Sequence, residues 1–126
     1  MKFLCLIYND PKVLTSMPDG QFDTYMKECI AHVEQLRSRG KLVDTQFLQP
    51  VEAAVTLRTR NGKFSATDGP FAETKEILGG FQMIEAENMQ EAIEIASHIP
   101  WTRTGSIEVR PIGELPRYDA DGSRLQ

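Results

Sequence analysis

A chain of 126 residues is one domain's length, enough to bury roughly two-thirds of its unfolded surface without disulfide or metal staples. Hydrophobic residues at 40% and charged residues at 25% exclude disorder as the state of the whole chain. Lys and Arg number 14 against 18 Asp and Glu, a net charge of −4, so the cationic footprint of a nucleic-acid binder is missing.

Phe3 to Tyr8 form a continuous apolar run stopped by Asn9, Asp10 and Pro11, which reads as a strand buried on both faces. The stretch to Gly20, with two prolines, Ser, Asp and Gly, reads as a loop. From Phe22 the period changes. Phe22, Met26, Cys29, Ile30, Val33 and Leu36 recur at helical steps, Arg37 and Arg39 suit the C-terminal dipole, and Gly40 supplies the stop. Leu42 to Leu48 is a weaker strand ended by Pro50. Val55, Leu57 and Thr59 alternate up to Asn61-Gly62, predicting a tight hairpin over about residues 53–68. Phe81 to Ile84 is a further strand opened by Gly79-Gly80. Asn88 and Glu91 form a capping box for a second helix whose stripe is Met89, Ala92, Ile93, Ala96 and Ile99, ended by Pro100. Ile107 and Val109 alternate with Glu108 and Arg110 in the last strand, and the tail from residue 115 has almost nothing to bury.

The order is β-α-β-β-β-β-α-β: an α+β, ferredoxin-like antiparallel sheet with two helices on one face and an extra hairpin. The second sheet face is apolar too, and a second copy of the chain is its expected cover, giving a homodimer with a barrel-like interior. Cys5 and Cys29 form no CxxC pair and read as small buried hydrophobes of a reducing compartment. The apolar N-terminus is too short for a signal-peptide core, and no run approaches a membrane span, so the expected location is the cytoplasm with no membrane partner.

Asp68-Gly69-Pro70-Phe71-Ala72-Glu73-Thr74-Lys75-Glu76, followed by Leu78-Gly79-Gly80-Phe81, resembles the signature of the DGPF branch of the YCII-related family. Similarity continues through Ile84-Glu85-Ala86 and Gly105 to Ile112, so residues 1–114 form the domain and 115–126 a polar tail. The resemblance implies a dimeric α+β barrel, a frequent genomic link to extracytoplasmic-function sigma factors, and wider relatives similar to lyases and isomerases of small ring compounds. The core of that family is similar in carrying a His on the first helix and an Asp before a Pro-aromatic pair. His32 matches the first position. The second falls on Ile99, before Pro100-Trp101, which cannot hold a proton.

Asp68 is therefore the leading candidate carboxylate. Counting outward from the turn sets Val55 opposite Asp68 and puts Asp68 on one face with Leu57, Phe64 and Ala66. An acid on an apolar face is either a proton-transfer or ligand-binding group, or a turn residue whose oxygens take up the amides after Gly69-Pro70. His32, at the edge of the helix stripe, is either the second catalytic candidate or a core-edge residue. Tyr8 and Arg110, near strand ends, are candidates for orienting a polar ligand. Phe64, Phe71 and Phe81 are expected to line an apolar pocket with Asp68 at its rim. His98 reads as a cation at a helix end and Trp101 as core. Two unpaired histidines give no metal site, and Asp119-Ala120-Asp121-Gly122 lacks the downstream glutamate of a calcium loop. Two functions remain open: cofactor-free proton transfer on a small organic molecule, or a non-catalytic ligand- or partner-binding module.

Overall fold

The opening apolar run becomes β1 (Lys2–Asn9), a central strand of a four-stranded antiparallel sheet in the computed structural model, which describes residues 1–126. Its side chains obey the period of two. Phe3, Cys5 and Ile7 are buried, whereas Leu4, Leu6 and Tyr8 are only half-buried. Within one chain the strand is thus covered on one face, not on both. The segment expected as loop contains a one-turn helix, α1 (Pro11–Thr15). Asp10 caps it by accepting the Lys12 N–H at 2.9 Å, and Pro11 fills the first position, where no N–H is needed.

The helical period from Phe22 gives α2 (Gln21–Ser38). Gly40, at φ +70°, closes it as a Schellman motif: the Lys41 N–H reaches the Leu36 carbonyl at 2.9 Å and the Gly40 N–H reaches that of Arg37 at 3.1 Å. The chain continues through β2 (Leu42–Phe47), β3 (Val55–Arg60), β4 (Lys63–Asp68), β5 (Ile77–Glu85), α3 (Met89–Ala96) and β6 (Gly105–Pro111). The main sheet runs β2-β5-β1-β6, every pair antiparallel, which is the strand order of a split β-α-β plan. Phe3, Cys5 and Ile84 of the sheet meet Leu36 of α2 and Ala92, Ile95 and Ala96 of α3, so both helices pack on one face.

In α3 the Asn88 side chain accepts the Glu91 N–H at 2.9 Å, as a cap should. Glu91 reaches back to the N–H of Glu87 rather than that of Asn88, and also takes the Lys41 ammonium at 2.9 Å. The buried stripe is Ala92, Ile95, Ala96 and Ile99, while Ile93 and Met89 are exposed. Both stripes obey helical spacing. Docking of α3 on the sheet selects between them.

β3 and β4 stand apart as a two-stranded ribbon, with the expected register: Val55 opposite Asp68, Leu57 opposite Ala66, Thr59 opposite Phe64. Asn61 and Gly62 both have positive φ, 54° and 74°, as the tight turn requires. The tail makes a local turn. Asp119 Oδ1 accepts the N–H groups of Asp121 and Ser123, so this carboxylate is occupied by its own backbone. No helix is long and apolar enough to cross a membrane.

Candidate functional site

The main apolar opening lies on the helix side of the sheet, where α2 passes over the β2–β5 edge. Its volume is about 490 Å³, within the range of small-molecule sites. Met26, Cys29 and Val33 of α2 form its roof, the Phe47–Pro50 segment one wall, and Trp101 another. Gly79 and Gly80 leave the space unfilled. The register between β1 and β5 slips at this point, so Gly79 is a bulge residue. A Cβ on Gly80 would stand 2.7 Å from the Gln46 carbonyl oxygen, so β2 can lie this close only to a glycine. Trp101 is buried and makes tilted and edge contacts with Phe22 and Tyr25, centroids 5.6 and 5.7 Å away.

Gln82 lines this cleft. It lies opposite Cys5 and Thr45 in the sheet, is 1% exposed, and has neither its amide oxygen nor its amide nitrogen in a hydrogen bond. His32 of α2, 8% exposed, stands beside it with Nε2 equally unpaired. Gln82 is near enough to favour the charged imidazole, but in no geometry that joins the two side chains. Each orphaned group carries a desolvation cost of about 1–3 kcal/mol, and such groups are exceptions in folded proteins. Burial, then the nearby His98 and Arg39 charges, hold the His32 pKa below its ordinary value of 6.5 despite Gln82. Its imidazole is accordingly neutral at pH 7 and free to accept a proton.

The other depression, about 910 Å³, lies on the far flank of α2 against α3 and is lined largely by charged and polar side chains. Several of these are already paired: Arg103 with Glu28 at 2.9 Å, and His98 with Glu94 at 3.2 Å. His32 borders this groove, its ring 6.3 Å from that of His98, and so stands between the charged groove and Gln82. Burial also raises the Cys29 thiol pKa, with Trp101 opposing, so a protonated thiol rather than a nucleophilic thiolate faces the cleft. No three His, Cys, Asp or Glu side chains are grouped to hold a metal.

The residues singled out from the sequence do not form one site. Asp68 ends β4 with its side chain in solvent and accepts no hydrogen bond, so neither the pocket-rim nor the turn-acceptor reading describes it in this chain. The turn beside it is closed by the Gly69 N–H on the Ala54 carbonyl, 2.7 Å, and the Thr56 hydroxyl on the Gly69 carbonyl, 2.7 Å. Phe64 and Phe71, 68% and 78% exposed, line neither of these two openings. Phe81 alternates with Gln82 and faces away from the helices, on the side of Tyr8 and Arg110. Arg110 pairs with Glu108 at 3.3 Å. The sheet therefore separates Tyr8, Arg110 and Phe81 from His32. None of the candidates lines the cleft itself; His32 lines the charged groove and stands next to Gln82, which does. Gln82 was missed, although a lone amide inside Phe81-Gln82-Met83-Ile84 is a polar break in an apolar strand, and that was the available signal.

The YCII-related domain profile matches residues 1–116. The chain belongs to the YCII-related family. An uncharacterised protein of Rhizobium meliloti is 37% identical over 123 residues, covering 92% of this chain and 99% of its own. Among solved structures, the 5-chloro-2-hydroxyhydroquinone dehydrochlorinase of Burkholderia phenoliruptrix, in complex with 2,5-dihydroxybenzoquinone, is similar with a TM-score of 0.51 at 19% identity. The match covers 98% of this chain and 100% of that one. At that identity the likeness concerns the fold.

Proposed function

We propose that the protein binds a small organic molecule in the cleft under α2 and moves a proton on it through His32, without a cofactor. The observation that carries this reading is the buried His32–Gln82 pair with its three unpaired polar atoms, Gln82 lining the apolar opening and His32 the charged groove beside it. A fold that cannot satisfy such groups internally leaves them for water or a ligand. Neutral His32 is the proton acceptor, and Gln82 anchors the polar end of the ligand against it. The fold likeness to a dehydrochlorinase that holds a dihydroxybenzoquinone supports lyase-like chemistry on a small ring compound. The decisive experiment incubates the protein with small hydroxylated and halogenated ring compounds in heavy water and follows proton exchange by NMR. Exchange should fall about 100-fold or more in His32→Asn, the usual contribution of a general base. Binding without exchange in the wild type would place the chain among non-catalytic binding modules, and no binding by any compound would sink both halves.

The same reading includes a homodimer. Leu4, Leu6, Phe81 and Met83 share the sheet face that carries no helix and stay half-buried, and the exposed Leu57 and Phe64 of the hairpin add apolar area. A second copy covers this face, as the DGPF-type resemblance implies. Sedimentation should give about twice the 14.2 kDa chain mass, and Phe81→Glu should halve it. A wild-type monomer at micromolar concentration rules the dimer out.

A further inference from the structure

We infer that the cleft selects an uncharged ligand presenting a hydrogen-bond donor and an acceptor side by side, as a cyclic amide does, and that Gln82 reads both. This rests on the cleft being a ligand site and adds the class of molecule that fits it.

A carboxamide offers one acceptor oxygen and a donor NH2 on the same edge, so its natural complement is a group with the opposite pair in the same order. Gln82 has both ends unpaired and is 1% exposed, so bulk water does not satisfy them. Of the other polar side chains that line the cleft, Gln49 is exposed to solvent, Gln46 donates to Asp44 at 3.3 Å, and Asn9 and Thr45 are engaged within the fold. Asn9 Oδ1 takes the Thr104 hydroxyl at 3.1 Å, and the Thr45 hydroxyl donates to the Phe81 carbonyl at 2.9 Å. Charge decides the rest. No Lys or Arg lines the cleft, and its one carboxylate, Glu34, is exposed and faces Arg37 at 3.8 Å, so no free cation stands ready for an anion. A carboxylate or phosphate would thus be desolvated without a cation and would set its oxygen against Gln82 Oε1. A cation would leave Gln82's NH2 without an acceptor. A pure hydrocarbon would fill the apolar walls but leave both amide atoms orphaned. Only a neutral donor–acceptor pair gives both the oxygen and the NH2 of Gln82 a partner, with the apolar body of the ligand against Val33, Met26 and Trp101.

Four ring compounds separate these cases by calorimetric titration: 2-pyridone, which carries the adjacent N–H and carbonyl; N-methyl-2-pyridone, which lacks the donor; benzoate; and toluene. The wild type should bind 2-pyridone about 10-fold or more tightly than N-methyl-2-pyridone or benzoate, the worth of one satisfied buried hydrogen bond. Gln82→Leu should lose at least about 10-fold in 2-pyridone affinity while gaining affinity for toluene. Gln82→Met serves as a second apolar replacement should the leucine variant not fold. Benzoate binding as tightly as 2-pyridone, or 2-pyridone binding unchanged in either variant, overturns the inference. If toluene binds while 2-pyridone shows no preference, only the selectivity fails and the cleft remains a ligand site. If none of the four binds the wild type or either variant, the cleft itself is no ligand site, and the proposed function falls with it.

Discussion

Under α2, Gln82 and His32 are nearly sealed from water with polar atoms unpaired, whereas on the β3–β4 ribbon Asp68 stands in solvent beside Leu57 and Phe64. The two regions invert the usual sorting of groups. Polar atoms sit inside without partners in one, and apolar rings sit outside without cover in the other. The ribbon leads into the most distinctive stretch of sequence, residues 68–76, yet none of these residues lines either opening described above. The cleft wall takes only Leu78-Gly79-Gly80 from the family signature, and its chemistry rests on a single amide in an apolar strand and a histidine on a helix. Distinctive local sequence and reactive environment are separate properties. The first is legible in order along the chain, and the second depends on what is packed around a side chain.

The contrast can be broken most forcefully at Trp101, which belongs to both core and cleft. Trp101→Ala should cost about 3–5 kcal/mol in denaturant unfolding, the range for deleting a buried aromatic ring. A loss under 1 kcal/mol would mean that the cleft wall is not part of the folded core. Next comes Gly80. Because a Cβ there meets the Gln46 backbone oxygen at 2.7 Å, Gly80→Ala should cost about 1–3 kcal/mol by pushing β2 away. An unchanged midpoint would show that the β2 edge yields freely.

A third test uses pH. The His32 pKa lies below 6.5 in the folded chain, so between the folded and unfolded values the unfolded state binds more protons. Stability is therefore complete above about pH 6.5, declines as the pH falls below it, and levels off once folded His32 itself protonates. Thermal melts should show this decline in the wild type and a flatter profile in His32→Asn, and identical profiles would contradict the burial of a neutral imidazole. The smallest effect belongs to the ribbon. Asp68→Ala should change stability by no more than about 0.5 kcal/mol, since the carboxylate is exposed and accepts no hydrogen bond. A loss of about 1–2 kcal/mol would restore the turn-acceptor reading.

Much of the fold was readable because local rules act over a few residues. Gly40 ends α2, Asn88 caps α3, and Asn61-Gly62 fixes the hairpin register so that Val55 meets Asp68. The errors came where two local answers were equally good. Ile93 and Ile95 both fit a helical stripe, and only docking on the sheet buried Ile95. The face shared by Asp68, Leu57 and Phe64 has the register counted from the turn, and within one chain it stays exposed. Of the pair proposed here, His32 stands out in the sequence and Gln82 does not, because a strand residue's partners lie on other strands and helices.

Apart from the one-turn α1, the sequence alone determined the order of elements, the hairpin register and the α+β class, since periodicity, caps and turn chemistry are short-range properties of the chain. Only the tertiary structure decided which face of each element meets water. It set Tyr8, Arg110 and Phe81 across the sheet from His32, and it placed Gln82 opposite Cys5 and Thr45 beside α2. Desolvation is the physical reason. It acts through neighbours remote in sequence, and whether a polar atom loses its water is a property of the packed whole rather than of any segment.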